Sequence, residues 1–223
     1  MVSVAQISRA SFRLIALSLI LGMSLPAHSA VMAGGLAAPP ARTLDFDIVH
    51  SGTVVGHYHT DFVETGDNRL EARTRITAEV KAGPIRLYHY SHHSVEVWQD
   101  GRLMSLASDT DDDGDVHHVS VSRDLDVLKL AVDGKAAIPT DAAAVPSSLW
   151  NRAMVDSRRP VIDISDGEVM RTESNCAMGV APIATTCQVR GGFQRNLDYD
   201  GNGVLLGLWF PADDGSKVMY RRN

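Results

Sequence analysis

From Leu44 onward, apolar and polar residues alternate almost one for one. The segments LDFDIV at 44–49, VVGHYHTDFV at 54–63 and LEARTRITAEV at 70–80 follow this pattern. Successive side chains on a strand point to opposite faces, so a period of two predicts half-buried β-strands. Ser51-Gly52-Thr53, Gly66-Asp67-Asn68 and Lys81-Ala82-Gly83-Pro84 separate these runs. A long aromatic-rich strand is predicted over 85–98, closed by Asp100-Gly101, a hairpin-type turn pair. Further strands are predicted at 103–110, 116–123, 127–132 and 136–138, and again at 185–190, 203–210 and 217–221. Short connections between consecutive strands predict an antiparallel meander. One helix interrupts it over 146–155, where Pro146, Ser147 and Ser148 precede Leu149, Trp150 and Ala153 at helical spacing.

So many antiparallel strands must curl or close to cover their apolar face. The predicted fold class is therefore all-β, mainly antiparallel: a curved half-barrel or barrel-like meander with one short helix as plug or lid. A two-sheet sandwich is the competing architecture.

The first residues break the pattern. Arg9 and Arg13 precede the apolar run LIALSLILGMSL, then Pro26 and the small residues Ala27-His28-Ser29-Ala30. That is the layout of a cleavable secretory signal over 1–30, with an apolar core too short to span a bilayer. Residues 31–42 read as a Gly/Ala/Pro linker, leaving 43–223 as a single β-rich domain. The expected location is periplasmic or secreted, with no transmembrane segment in the mature form.

Loss of two leader arginines and no acids takes the formal net charge from −6 to −8. That balance disfavours nucleic acid and anionic membrane surfaces. The two cysteines, Cys176 and Cys187, are expected to form a disulfide in an oxidising compartment.

The candidate chemistry lies mostly on the 85–98 strand. Tyr88, Tyr90, His92, Ser94, Glu96 and Trp98 share one face. Rings with polar tips suit a cavity wall, where area and orientation are both needed. They equally suit an amphipathic strand whose rings are core. The ligand-binding set read this way is Tyr88, Tyr90, His92, Glu96 and Trp98, with Trp150 near the mouth.

His57 and His59 lie two apart on one strand face, a spacing found in transition-metal sites, with His92, His93 or Glu96 on a neighbouring strand as a third ligand and His92 taken first. Two turns place acidic oxygens at calcium-loop spacing: Asp109, Asp111 and Asp113, then Asp198, Asp200 and Asn202. Both lack the closing glutamate, where Ser120 and Trp209 stand. An acidic hairpin turn explains them equally well. No cofactor is required by these patterns; calcium or a transition metal is the one they could hold. No catalytic nucleophile motif is present.

Together the segments LDFDIVHSGTVVGHYH, LYHYSHHSVEVWQDGRLMSLASDTDDDG, SSLWN and LDYDGNGVLLGLWFPADDGSKVMYRR resemble a family of uncharacterised secreted bacterial proteins, a domain of unknown function. That family is in turn distantly similar to the LolA/LolB-like periplasmic half-barrel carriers. The second likeness implies a curved sheet wrapped around helices and holding an acyl chain. The strands here are less apolar than such a carrier implies, with His and Tyr on the candidate inner face.

Three functions are consistent with the sequence. The leading one is a non-enzymatic carrier holding an apolar or amphipathic small molecule in the half-barrel. The others are a metal-dependent enzyme using the clustered histidines and an envelope protein-interaction module without a ligand.

Overall fold

Two-residue turns set the architecture. At Asp100-Gly101 and Asp113-Gly114 both residues have positive φ (49° and 74°; 53° and 104°). This is the backbone twist that lets a strand fold straight back on its neighbour. The computed structural model describes residues 42–223 except Asp67 and Asp213. The signal peptide expected over 1–30 and the linker expected over 31–42, Arg42 apart, lie outside the described residues.

Eight strands form the first meander: β1 (Thr43–His50), β2 (Thr53–Glu64), β3 (Arg69–Ala82), β4 (Ile85–Gln99), β5 (Arg102–Asp112), β6 (Asp115–Asp124), β7 (Val127–Val132) and β8 (Ile138–Thr140). The chain then makes three short strands, β9 (Val145–Pro146), β10 (Val161–Ile162) and β11 (Val169–Met170). A second meander follows: β12 (Thr172–Met178), β13 (Thr185–Gly191), β14 (Arg195–Tyr199), β15 (Leu205–Pro211) and β16 (Lys217–Arg222). β16 pairs antiparallel with β1, which joins both meanders into one 13-stranded sheet running from β12 to β8. The sheet is open, with β12 and β8 as its edges. β9, β10 and β11 form a separate small sheet.

The fold class agrees with the expectation of a curved antiparallel meander, and a single continuous large sheet displaces the sandwich alternative. The expected helix over 146–155 is corrected. Among the described residues there is one four-residue 3-10 turn, Arg152–Val155, and no longer helix. The reason is local: Ser147 N–H donates to the Ile162 carbonyl, and Ser147 Oγ accepts from Ile164 N–H. Those bonds hold the chain extended. Only after Asn151, whose side chain caps Ala153 N–H, does it turn.

One face of the sheet is core. Leu44, Phe46 and Ile48 of β1, Leu106 of β5, Leu128 and Leu130 of β7, and Leu197 and Leu208 of the second meander are all buried. They pack on the 141–171 connection, which contributes Val145, Leu149, Trp150, Met154, Val161, Ile162 and Ile164. Burying each such side chain contributes about 1.5–3 kcal/mol, so the seven together contribute roughly 10–20 kcal/mol. That matches or exceeds the net stability of a typical domain, about 5–15 kcal/mol. The connection therefore serves as a plug, since displacing it whole would expose these side chains to water.

Candidate functional site

The inner face of β4 divides into a sealed half and a partly exposed half. In the sealed half Glu96 is fully buried (0% exposed). Its carboxylate accepts hydrogen bonds from Trp98 Nε1 at 2.8 Å and Trp150 Nε1 at 3.3 Å. Trp150 packs edge-on against Trp98 and Phe62, with ring centroids 5.7 and 5.4 Å away. Burial pushes the Glu96 carboxyl up to about pH 7, against the opposing pull of its indole donors. Trp150, expected near the mouth, is instead deep in the core. Glu96, Trp98 and Trp150 do come together, but as solid packing under the plug.

A polar seam crosses the wall beside them. Thr60, Thr74, Ser94 and Ser108 pair in register across β2, β3, β4 and β5, and all four are buried. Thr60 donates to Tyr58 Oη at 2.9 Å and shares a 2.8 Å bond with Thr74, while Ser108 donates to the Ile164 carbonyl of the plug. Ser94 Oγ and His92 Nε2 are buried without a partner.

The other half runs from buried His92 through half-buried Tyr90 to exposed Tyr88. His92 Nδ1 bonds Thr110 Oγ1 at 2.8 Å, and its ring stacks near Tyr90, centroids 6.4 Å apart. Burial holds the imidazole down at about pH 4, so it is neutral. Tyr90 Oη bonds Ser165 Oγ of the plug at 3.0 Å, and Tyr88 beyond it is 37% exposed. One register row carries Tyr220 of β16, Ile48, Gly56, Ala78 and Tyr90 across the sheet. The two tyrosines thus flank a floor that includes one side chain of a single methyl and one of none. Gly56 is required there, because a Cβ would lie 2.0 Å from the Thr77 carbonyl oxygen.

Tyr220 also contacts the rings of Tyr58 and Phe210, both with centroids 6.2 Å away. Burial raises the pKa of all five tyrosines of the chain, Tyr58, Tyr88, Tyr90, Tyr199 and Tyr220. Arg195 of β14 lies close enough to Tyr90, Tyr199 and Tyr220 to act on each electrostatically. Its guanidinium sits 4.6 Å from the centre of the Phe193 ring, and Nη1 donates weakly to the Ser147 carbonyl at 3.5 Å. Tyr58, Tyr199, Tyr220 and Arg195 were not among the expected site residues. The closing strand of the sequence contains Tyr220, yet nothing local says that β16 pairs with β1.

The expected transition-metal triad does not assemble. His57 and His59 lie on the outer face, whereas the buried His92 lies through the sheet from them. His57 Nδ1 pairs with Asp47 at 3.1 Å. His59 bridges Asp45 at 2.5 Å and Asp61 at 3.0 Å, and the Asp45 hydrogen bond raises its pKa.

The two expected calcium loops are corrected as well. Asp109 and Asp111 belong to β5 and Asp113 to the turn, so the hairpin spreads them apart. Asp109 pairs with His118, and Asp111 Oδ1 accepts from Gly114 N–H. Asp198 accepts from Thr186 Oγ1, and Asp200 Oδ1 accepts from the N–H groups of Asn202 and Val204. Among the described residues no group of three or more His, Cys, Asp or Glu is placed to hold a metal ion.

Cys176 and Cys187 are bonded, at directly opposed positions of β12 and β13. The bond ties down an edge strand and fits an oxidising compartment. Among the described residues no helix is long and apolar enough to cross a membrane.

Residues 46–223 match the sequence pattern of DUF6134, a domain of unknown function. No curated protein matches the sequence. Among solved structures, the chain is similar to a β-barrel-like protein of the domain of unknown function DUF1849 from Brucella abortus. The TM-score is 0.58 at 8% identity, covering 81% of this chain and 94% of that one. That likeness concerns the fold alone.

Proposed function

The chain belongs to the DUF6134 family, a domain of unknown function, and from the geometry of its inner face we propose that it is a non-enzymatic protein that binds an apolar or amphipathic small molecule. The binding place is the tyrosine-lined mouth, between Tyr88 and Tyr90 on one side and Tyr220 on the other. The observation that carries this reading is the convergence of the tyrosines over the Gly56–Ala78 floor. Aromatic walls with few fixed polar tips beside small floor residues suit flat or chain-like apolar groups. The partly exposed rim and the unpartnered His92 Nε2 beneath it support the same reading. Export to the periplasm or beyond, as the leader pattern and the disulfide suggest, is part of the proposal.

Native mass spectrometry of protein purified without detergent tests it. A co-purified adduct, or uptake of added dodecyl-chain amphiphiles that is lost in Tyr90→Ala or Gly56→Val, is the expected result. A clean apo mass with no uptake overturns it.

A second reading, an interaction module, is favoured by one feature. Beyond Ala78 of β3 and before His89 of β4, the hairpin strands pair only with each other among the described residues. It carries Ile85 and Leu87 at 61% and 58% exposure. Loss of a crosslinked envelope partner in an Ile85→Ser/Leu87→Ser variant that still binds amphiphile would separate this role from the mouth.

A further inference from the structure

Three exposed arginines of this chain pair with carboxylates. Arg73 pairs with Glu71, Arg158 with Asp156 and Arg221 with Asp47. The sequence has acids to spare, 27 against 21 basic residues. Half-buried Arg123 donates to the Leu103 and Ala142 carbonyls instead, and two other half-buried arginines have no carboxylate within ion-pair distance among the described residues: Arg195 on the inner side of β14, and Arg152 in the 3-10 turn of the plug.

Both act on one residue. Arg152 lies 5.1 Å from the centre of the Tyr199 ring, and Arg195 is in electrostatic range of the same phenol. The Tyr199 hydroxyl is buried and has no hydrogen-bond partner. A guanidinium offers five N–H donors, and Arg195 uses one, weakly. Holding a cation partly out of water without an anion is costly, as is leaving a buried hydroxyl unpaired. Aromatic stacking on Phe193 and Tyr199 offsets only part of that cost. Two acids stand beside the mouth: Asp163, whose Oδ1 accepts from Ser165 N–H, and Asp112, paired with Tyr90 in register and close to the Tyr88 hydroxyl.

We infer that Arg195, with Arg152 and the Tyr199 hydroxyl behind it, receives an anionic head group, carboxylate or phosphate, on the molecule that enters the tyrosine mouth. The inference rests on the binding reading above and narrows it to amphipathic anions. Arg195 links the two regions because it shares the inner face of β14 with Leu197 and Tyr199, and Leu197 lies in one register row with Leu208 and Tyr220. A planar fork of donors suits either oxyanion bidentately.

The test uses four probes with one tail, each below its micelle concentration: dodecanoate, dodecyl phosphate, dodecyl maltoside and dodecyltrimethylammonium. Isothermal titration calorimetry on the leader-free protein should show the two anions binding at least about tenfold tighter than the maltoside. Arg195→Gln should erase that preference, bringing the anions down to the affinity of the maltoside for the same variant, while Arg195→Lys should restore part of it. Anion affinity in the unmodified protein should also fall with added salt, which guards against a variant that fails to fold. Equal affinity for anionic and neutral probes, or preference for the cation, overturns the anion inference and leaves the binding reading intact. No binding of any probe overturns the binding reading itself.

Discussion

Trp150 reaches from the plug to the sheet and donates its indole hydrogen to Glu96 at 3.3 Å, inside a shell of aromatic rings. The contact joins the crossing segment to the wall it fills. It also sets one half of an opposed pair of proton equilibria, because His92 lies two positions beyond Ser94 on the same strand face.

Glu96 keeps its proton to about pH 7 in the folded protein, against 4.5 for an ordinary glutamate. Between those values the folded state holds the extra proton, so stability falls as pH rises. His92 is the reverse. It stays neutral down to about pH 4 when folded but protonates below 6.5 in the unfolded chain, so stability rises with pH across that window. Each full window amounts to about 3 kcal/mol. The slopes oppose one another between 4.5 and 6.5. Urea titrations should therefore show Glu96→Gln gaining stability with pH relative to the parent, and His92→Gln losing it. Two variants with the parent's pH slope would refute both assignments.

Trp150→Ala should cost about 3–5 kcal/mol, the range for deleting a large buried aromatic. Trp150→Phe keeps the ring contacts with Phe62 and Trp98 but leaves Glu96 Oε1 without its donor, and should cost less. Equilibrium denaturation followed by circular dichroism ranks them. An equal cost for both would mean that the hydrogen bond, and not the packing, holds the plug.

Gly56→Ala places a methyl 2.0 Å from a main-chain oxygen of β3 and 2.9 Å from Ala78 Cβ. Neither neighbour is a free side-chain end, so the strands must part. The expected loss is at least about 2 kcal/mol, with weakened amphiphile binding at the mouth. A thermal midpoint unchanged from the parent would show that β2 can rebend at no cost.

Replacing Cys176 and Cys187 together by alanine opens a loop with a sequence separation of 11. Loop-entropy arithmetic gives about 2–3 kcal/mol. Hydrogen exchange should accelerate first in β12, the edge strand the bond anchors. Uniform acceleration across the sheet would place the effect elsewhere.

Much of this molecule is legible in its sequence because alternation and turn chemistry are local. Asp100-Gly101 and the alternating runs fix the hairpins from β1 to β7 closely. The inward face of β4 is also readable, since the period of two assigns Tyr88 through Trp98 to one side. Two strands of the large sheet escape that reading. β12 (TESNCAM) is an exposed edge with little apolar alternation, and β14 sits against a turn whose acids resemble a loop. Helical spacing at Leu149, Trp150 and Ala153 misleads because cross-chain bonds from Ser147 override a weak propensity. The mouth divides along the same line. Tyr88, Tyr90 and His92 follow from one strand. Tyr220, Tyr199 and Arg195 depend on β16 closing against β1, which is a property of the whole chain.

That last pairing has a kinetic consequence. Phe46 faces Arg222 and His50 faces Val218 across the joint between the two meanders. Every hairpin in either meander can zip from its own turn, but this joint must wait for segments more than a hundred residues apart to meet. Closing so long a loop is the slow kind of contact to form. The rate-limiting event of folding should then be a docking of two preassembled halves, and Tyr220 and Tyr90 come to flank the mouth only after it.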